Sequence, residues 1–124
     1  MANEASITIN FGARKNGAEV AGNVVFNVDM TGDTMLGSVQ AIGTAAEALT
    51  FEDIATPGYV FLRNLTDPLV SPTAFIEIAL DSGVSTQKFA KLFAGKGMIW
   101  PTATGTLYAK ASVAQNLQKV AIAT

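Results

Sequence analysis

The chain has 124 residues, of which 49% are hydrophobic and only 15% charged. That length suits one domain with a sizeable core, and the charged fraction is well below that of an average soluble domain. Eight Lys and Arg stand against ten Asp and Glu, for a net charge of −2, and there is neither cysteine nor histidine. Disulfides, thiolate metal sites, and the commonest metal ligand and general base are therefore excluded. The cations are scattered, whereas nucleic acid needs several clustered on one face.

From the N-terminus, Met1 to Ile9 (MANEASITI) carries neither a basic region nor a long apolar one, so no signal peptide is expected. No run reaches the ~18 apolar residues that cross a bilayer as a helix. The expected location is the cytoplasm of the producing cell, or a particle assembled there. Ser6 to Phe11 alternates, with Ile7, Ile9 and Phe11 on one side and Thr8 and Asn10 on the other. The Gly12–Gly17 loop ends in Asn16-Gly17, a hairpin signal because both positions tolerate positive φ. Val24, Phe26, Val28 and Met30 alternate with Val25, Asn27 and Asp29 as the second arm, and Thr31-Gly32-Asp33 turns the chain.

Between Thr34 and Thr50 two readings compete. Met35, Val39 and Ala41 suggest a strand interrupted at Gly37, while Thr44 and Glu47 have capping-box spacing for a short helix. The strand is preferred because no apolar helical stripe follows. Glu52-Asp53-Ile54 reads as a helical turn or loop. From Gly58 to Leu80 lie two β-rich runs, Tyr59–Leu65 and Phe75–Leu80, joined by a loop with Asp67-Pro68 and Ser71-Pro72. They are expected to pair in the middle of an antiparallel sheet covered by a second sheet.

Further on, Phe89–Ala94 and Met98–Trp100 flank Gly95-Lys96, which suits a type II′ hairpin. Thr106–Ser112 and Leu117–Ala123 complete the strands. Between Leu117 and Val120 the apolar parity slips, which implies either a bulge or a helical turn over Ala114–Val120. Roughly eight strands with turn chemistry at nearly every joint predict a single all-β domain over 1–124: an antiparallel β-sandwich of jelly-roll type.

Little in the chain assembles chemistry. Asp29 and Asp33 bracket a turn and are too few for calcium, and no metal or cofactor is expected. Glu52, Asp53 and Glu77 are the carboxylates on which an enzyme would have to rest, but neighbours on a strand point to opposite faces. Gly95-Lys96-Gly97 is too short for a phosphate-binding loop. Lys88, Lys91 and Lys96, interleaved with Phe89 and Phe93, form the nearest thing to a basic cluster, and they do not share a strand face. Asn64-Leu65-Thr66 matches a glycosylation sequon. Trp100, the single tryptophan, fits a core plug, an interface anchor or a sugar-stacking platform. No nucleophile, base and oxyanion donor set appears, and the chain is expected not to be an enzyme.

Several blocks carry a resemblance: Ile42-Gly43-Thr44 with Glu47-Ala48-Leu49, then the run from Ala55 to Leu65 (ATPGYVFLRNL), Phe75-Ile76-Glu77-Ile78, Leu92–Lys96, and Leu107-Tyr108-Ala109-Lys110-Ala111. In these, over roughly the last two-thirds of its length, the chain resembles small virion structural proteins of tailed bacteriophages. The proline-containing loop Thr66–Thr73 departs from that pattern. The resemblance implies a capsid decoration or cement protein, located in the virion after assembly in the host cytoplasm. Its expected partners are the major capsid protein and further copies of itself, as a dimer or trimer, with no nucleic acid, membrane or small-molecule substrate. Contacts are expected at strand-end loops, at the arm Met1, Ala2, Asn3, Glu4 and Ala5, and at Trp100. The alternative is a tail- or fibre-associated module acting as an adaptor or binding glycan.

Overall fold

The computed structural model describes residues 5–28, 35–51, 58–100 and 106–122. They form ten strands, all paired antiparallel, and no helix. The chain divides into two compact units, one within Met1–Asp33 and one within Thr34–Ala123.

The first unit is a hairpin of β1 (Ala5–Lys15) and β2 (Ala18–Val28), paired without a slip from Ala5↔Val28 to Lys15↔Ala18. Asn16 and Gly17 turn it with φ of 53° and 81°. Two successive left-handed residues match the right-handed twist of the flanking strands, which is why this dipeptide recurs at two-residue turns. Strand β1 runs on through Gly12 to Lys15, past the point where loop was expected. Ladder bonds continue there because neither Gly12 nor Arg14 breaks the extended backbone.

The second unit is an antiparallel β-sandwich. One sheet has the order β3 (Met35–Ile42), β10 (Gln115–Ile122), β5 (Tyr59–Asn64), β8 (Gly97–Trp100). The other runs β4 (Glu47–Ala48), β9 (Tyr108–Ala111), β6 (Phe75–Ala79), β7 (Lys88–Phe93). Val60, Leu62 and Leu117 from the first sheet meet Ile76, Ile78 and Ala109 from the second, all fully buried, with Ile42, Leu49 and Leu107 in the same core. Strands β5, β9 and β10 turn every second side chain inward, as a half-buried sheet requires.

Three expectations are corrected. Strands β5 and β6 do not pair: they lie in opposite sheets, so the loop between them crosses the sandwich. Strands β7 and β8 do not form a hairpin either. Gly95 (φ 80°) follows Ala94 in a turn closed by Lys96 N–H to Phe93 C=O at 2.9 Å, and this carries the chain from one sheet to the other. A left-handed third residue belongs to a type II turn, which does not return a strand onto its neighbour. Finally, β10 is continuous, with neither bulge nor helical turn over its length. Gln115, Leu117, Lys119 and Ala121 face inward, and Val120 faces out at 37% exposure. The apparent slip arose because a lysine occupies a core position.

Over 35–50 the strand reading holds, with β3 running through Gly37. Glu47 Oε2 accepts from Gly43 N–H at 3.2 Å, a capping-box-like bond that here closes a tight β3–β4 connection.

Candidate functional site

Two polar clusters brace the sandwich. At one end, Asn64 closes β5 with its side chain wholly buried. Its Nδ2 donates to Leu92 C=O at 2.9 Å and to Gln115 Oε1 at 2.8 Å, and its Oδ1 accepts from Thr66 N–H at 2.9 Å. Gln115 in turn donates to Phe75 C=O at 2.9 Å and Val113 C=O at 3.0 Å, and accepts from the Thr66 hydroxyl at 3.2 Å. Two amides thereby tie both sheets to the base of the β5–β6 loop. Every polar atom taken out of water there has a partner, which is what makes such burial tolerable.

On that base stands the loop itself. Asp67 Oδ1 accepts from Leu69 N–H at 2.9 Å, and Asp67 C=O accepts from Val70 and Ser71 N–H at 3.1 and 3.0 Å. This Asx turn, with Pro68 presetting φ, holds Leu69 and Val70 at the tip. Leu69 is 92% exposed and Val70 77%. An open recess lies beside them, lined by Val70, Pro72, Ala74 and Val113 among others. At the same end Phe75 and Phe93 are cross-strand partners, in edge-to-face contact at 5.6 Å, and Lys91 Nζ sits 4.3 Å from the Phe75 ring centroid. A pair of adjacent aliphatic side chains held out by a hydrogen-bonded loop is exposed apolar surface on a backbone that is already set.

At the second cluster, Lys119 is 2% exposed and reaches across to Gln40 Oε1 at 2.9 Å, to Thr50 C=O and to Thr50 Oγ1 at 3.3 Å. Gln40 also accepts from Thr50 N–H at 3.2 Å and donates to Glu47 Oε1 at 3.0 Å. The lysine stem fills core volume while its ammonium finds acceptors at the sandwich margin.

The chain matches no family model, no curated protein and no solved structure.

Among the contacts expected from sequence, Met1, Ala2, Asn3 and Glu4 lie outside the described residues, and Ala5 opens β1, half-buried. Trp100 closes β8, half-buried, its ring stacked on Phe89 at 4.4 Å and 27° and packed against the core. Asp29, Asp33, Glu52 and Asp53 also lie outside the described residues. Glu77 is not gathered with other acids; it pairs with Lys88 at 3.2 Å. Among the described residues no three acidic side chains converge as a metal site would require. The Asn64 sequon cannot be glycosylated in the folded chain, because that amide is buried and fully engaged.

Leu69, Val70, Gln115 and Lys119 were not singled out by sequence reasoning. For the loop a signal existed: two apolar residues enclosed between Asp67-Pro68 and Ser71-Pro72 cannot enter a core, since the turns on both sides hold them at the surface.

Proposed function

We propose that this protein is a structural component of a bacteriophage virion: a capsid decoration or cement protein that binds the assembled lattice of the major capsid protein. The observation that carries the reading is the Leu69–Val70 tip, two aliphatic side chains almost wholly in water on a loop braced by the Asn64–Gln115 network. Monomeric proteins place such side chains outward singly; a preset adjacent pair, with Val113 at 53% exposure on the neighbouring turn, suits insertion into a pocket on another subunit. The resemblance of the ATPGYVFLRNL and LYAKA blocks to small phage virion proteins supports the same role. A low charge fraction does too, because interface centres are depleted in charge.

The mechanism is linkage. A protein that binds only the expanded shell stabilises that state by its binding free energy, multiplied over every copy bound. A sandwich with a hydrogen-bonded loop is suited to this task because its backbone is ordered before docking, which lowers the entropy lost. The stacking of Trp100 on Phe89 occupies one face of the ring a sugar would need, and this favours the shell over a glycan ligand. Cosedimentation of the purified chain with expanded and unexpanded shells of its phage tests the reading. Saturable binding to expanded shells alone is expected, and no binding to either overturns it.

A further inference from the structure

The β1–β2 hairpin has two chemically distinct faces. On one, Asn10 hydrogen-bonds to Asn23 across the strands, and Arg14 pairs with Glu19 at 2.8 Å, so the polar groups satisfy one another. On the other lie Ile9 opposite Val24, Phe11 opposite Gly22 and Ala13 opposite Val20. Ile9, Phe11, Val20 and Val24 are 42%, 68%, 60% and 45% exposed, and no charge interrupts them. An isolated two-stranded hairpin is marginal in water at best, so a ribbon of this length needs a cover over its apolar side.

The relief of that face indicates what the cover is. Phe11 is the largest of these four exposed side chains, and its cross-strand neighbour Gly22 has none. Nothing among the described residues demands glycine at 22: its backbone is not left-handed, and an added Cβ would meet none of their atoms within 4 Å. A mid-strand glycine weakens the strand unless another group approaches it closely. The knob and the hole are therefore side by side on one surface. A two-fold axis running parallel to the strands brings each over its counterpart, as a self-complementary interface requires.

We propose that two copies of this chain pair through the apolar faces of their β1–β2 hairpins, with Phe11 of each seated over the partner's Gly22. The same axis sets Ala13 against the partner's Val20, small against large, and Ile9 against the partner's Val24, one branched aliphatic on another. The hairpins lie parallel, with both turns at one end. Eleven residues at ~3.4 Å rise and two strands of ~5 Å spacing give roughly 350 Å² per face in projection, or roughly 700 Å² for the pair. That is below the ~1,200 Å² of a standard stable interface, so the dimer is weak and concentration-dependent. It stands on the hairpin alone and does not depend on the capsid reading.

Sedimentation velocity of the full chain, from roughly 10 µM to 1 mM as suits a small interface, tests it. The wild type is expected to shift from monomer to dimer across the series. Phe11→Asp and Gly22→Phe are each expected to weaken dimerisation by at least about tenfold, the first by burying a charge and the second by filling the hole. The exchange Phe11→Gly with Gly22→Phe restores knob and hole on swapped strands, and with them the dimer. Val25→Asp, on the opposite face, leaves it unchanged. The thermal transition of the sandwich serves as the folding control for every variant. A wild type that stays monomeric throughout overturns the proposal, as do an exchange variant no better than its singles and a Val25→Asp loss equal to that of Phe11→Asp. A monomer that nonetheless binds shells would overturn the hairpin pairing and leave the decoration role standing.

Discussion

Asn64 and Gln115, from neighbouring strands of one sheet, share a 2.8 Å hydrogen bond beneath the loop that carries Leu69 and Val70. Through that bond the most buried polar group of the sandwich supports its most exposed apolar one. Stability and the presentation of that tip are therefore coupled at this end of the molecule, and the two can be separated by mutation.

Asn64→Ala removes both donors from Leu92 C=O and Gln115 and the acceptor from Thr66 N–H. Leaving buried partners unsatisfied costs about 2–3 kcal/mol, equivalent to a drop in Tm on the order of 10 °C for a domain of this size. Calorimetry measures the loss. Because the base of the loop loosens, amide exchange at Leu69 and Val70 is expected to accelerate as well.

Lys119→Met and Lys119→Ala divide the second cluster into its parts. Methionine keeps the apolar stem but leaves Gln40 Oε1 and Thr50 C=O without that donor, for a loss of about 1–3 kcal/mol. Alanine also empties core volume and is expected to cost about 2 kcal/mol more. Urea unfolding midpoints order the three proteins as wild type, Met, Ala.

A pH dependence follows from Asp81. Burial pushes its carboxyl upward, but N–H groups of Ser85, Gln87 and Thr86 and the Ser85 hydroxyl outweigh that and hold it below its ordinary value. The folded pKa is depressed, so the stabilisation is complete above the unfolded value of about 3.9 and is lost as pH falls through the lower folded value. The same bonds enclose Val84, a buried β-branched residue held at φ 48°, which is strained backbone. Amides 85–87 are expected to lose exchange protection as pH falls through that lowered folded value. In Asp81→Ala they are expected to be unprotected at neutral pH already.

How far residues alone specify this molecule differs by level. Alternation reports which side chains turn inward, and Val60, Leu62, Ile76 and Ile78 all obey it. Asn16-Gly17 specifies its hairpin because no other backbone suits two left-handed residues so well. Strand partners are a different matter. Strand β5 neighbours β10 and β8, and β6 neighbours β9, pairings distant in sequence that leave no local trace, whereas β6 and β7 are consecutive. Proximity in the chain wrongly suggests that β5 meets β6 and β7 meets β8. Lys119 misled for another reason: a long aliphatic stem with a charged end satisfies core and margin together, and a hydrophobic pattern counts only the end. The Leu69–Val70 tip was visible as two apolar residues between prolines. Its support was not, because Gln115 arrives from a strand near the other end of the chain.

In the proposed role, Leu69 and Val70 dock the protein onto the capsid lattice. The most direct measurement is cosedimentation of Leu69→Asp/Val70→Asp with expanded shells, beside the wild type. Both side chains face solvent, so the variant is expected to keep its Tm to within the equivalent of about 0.5 kcal/mol. Its shell affinity is expected to fall at least about a hundredfold, the loss of a buried aliphatic anchor and the desolvation of two new charges. A variant that binds shells as tightly as the wild type would show that Leu69 and Val70 are not the docking residues.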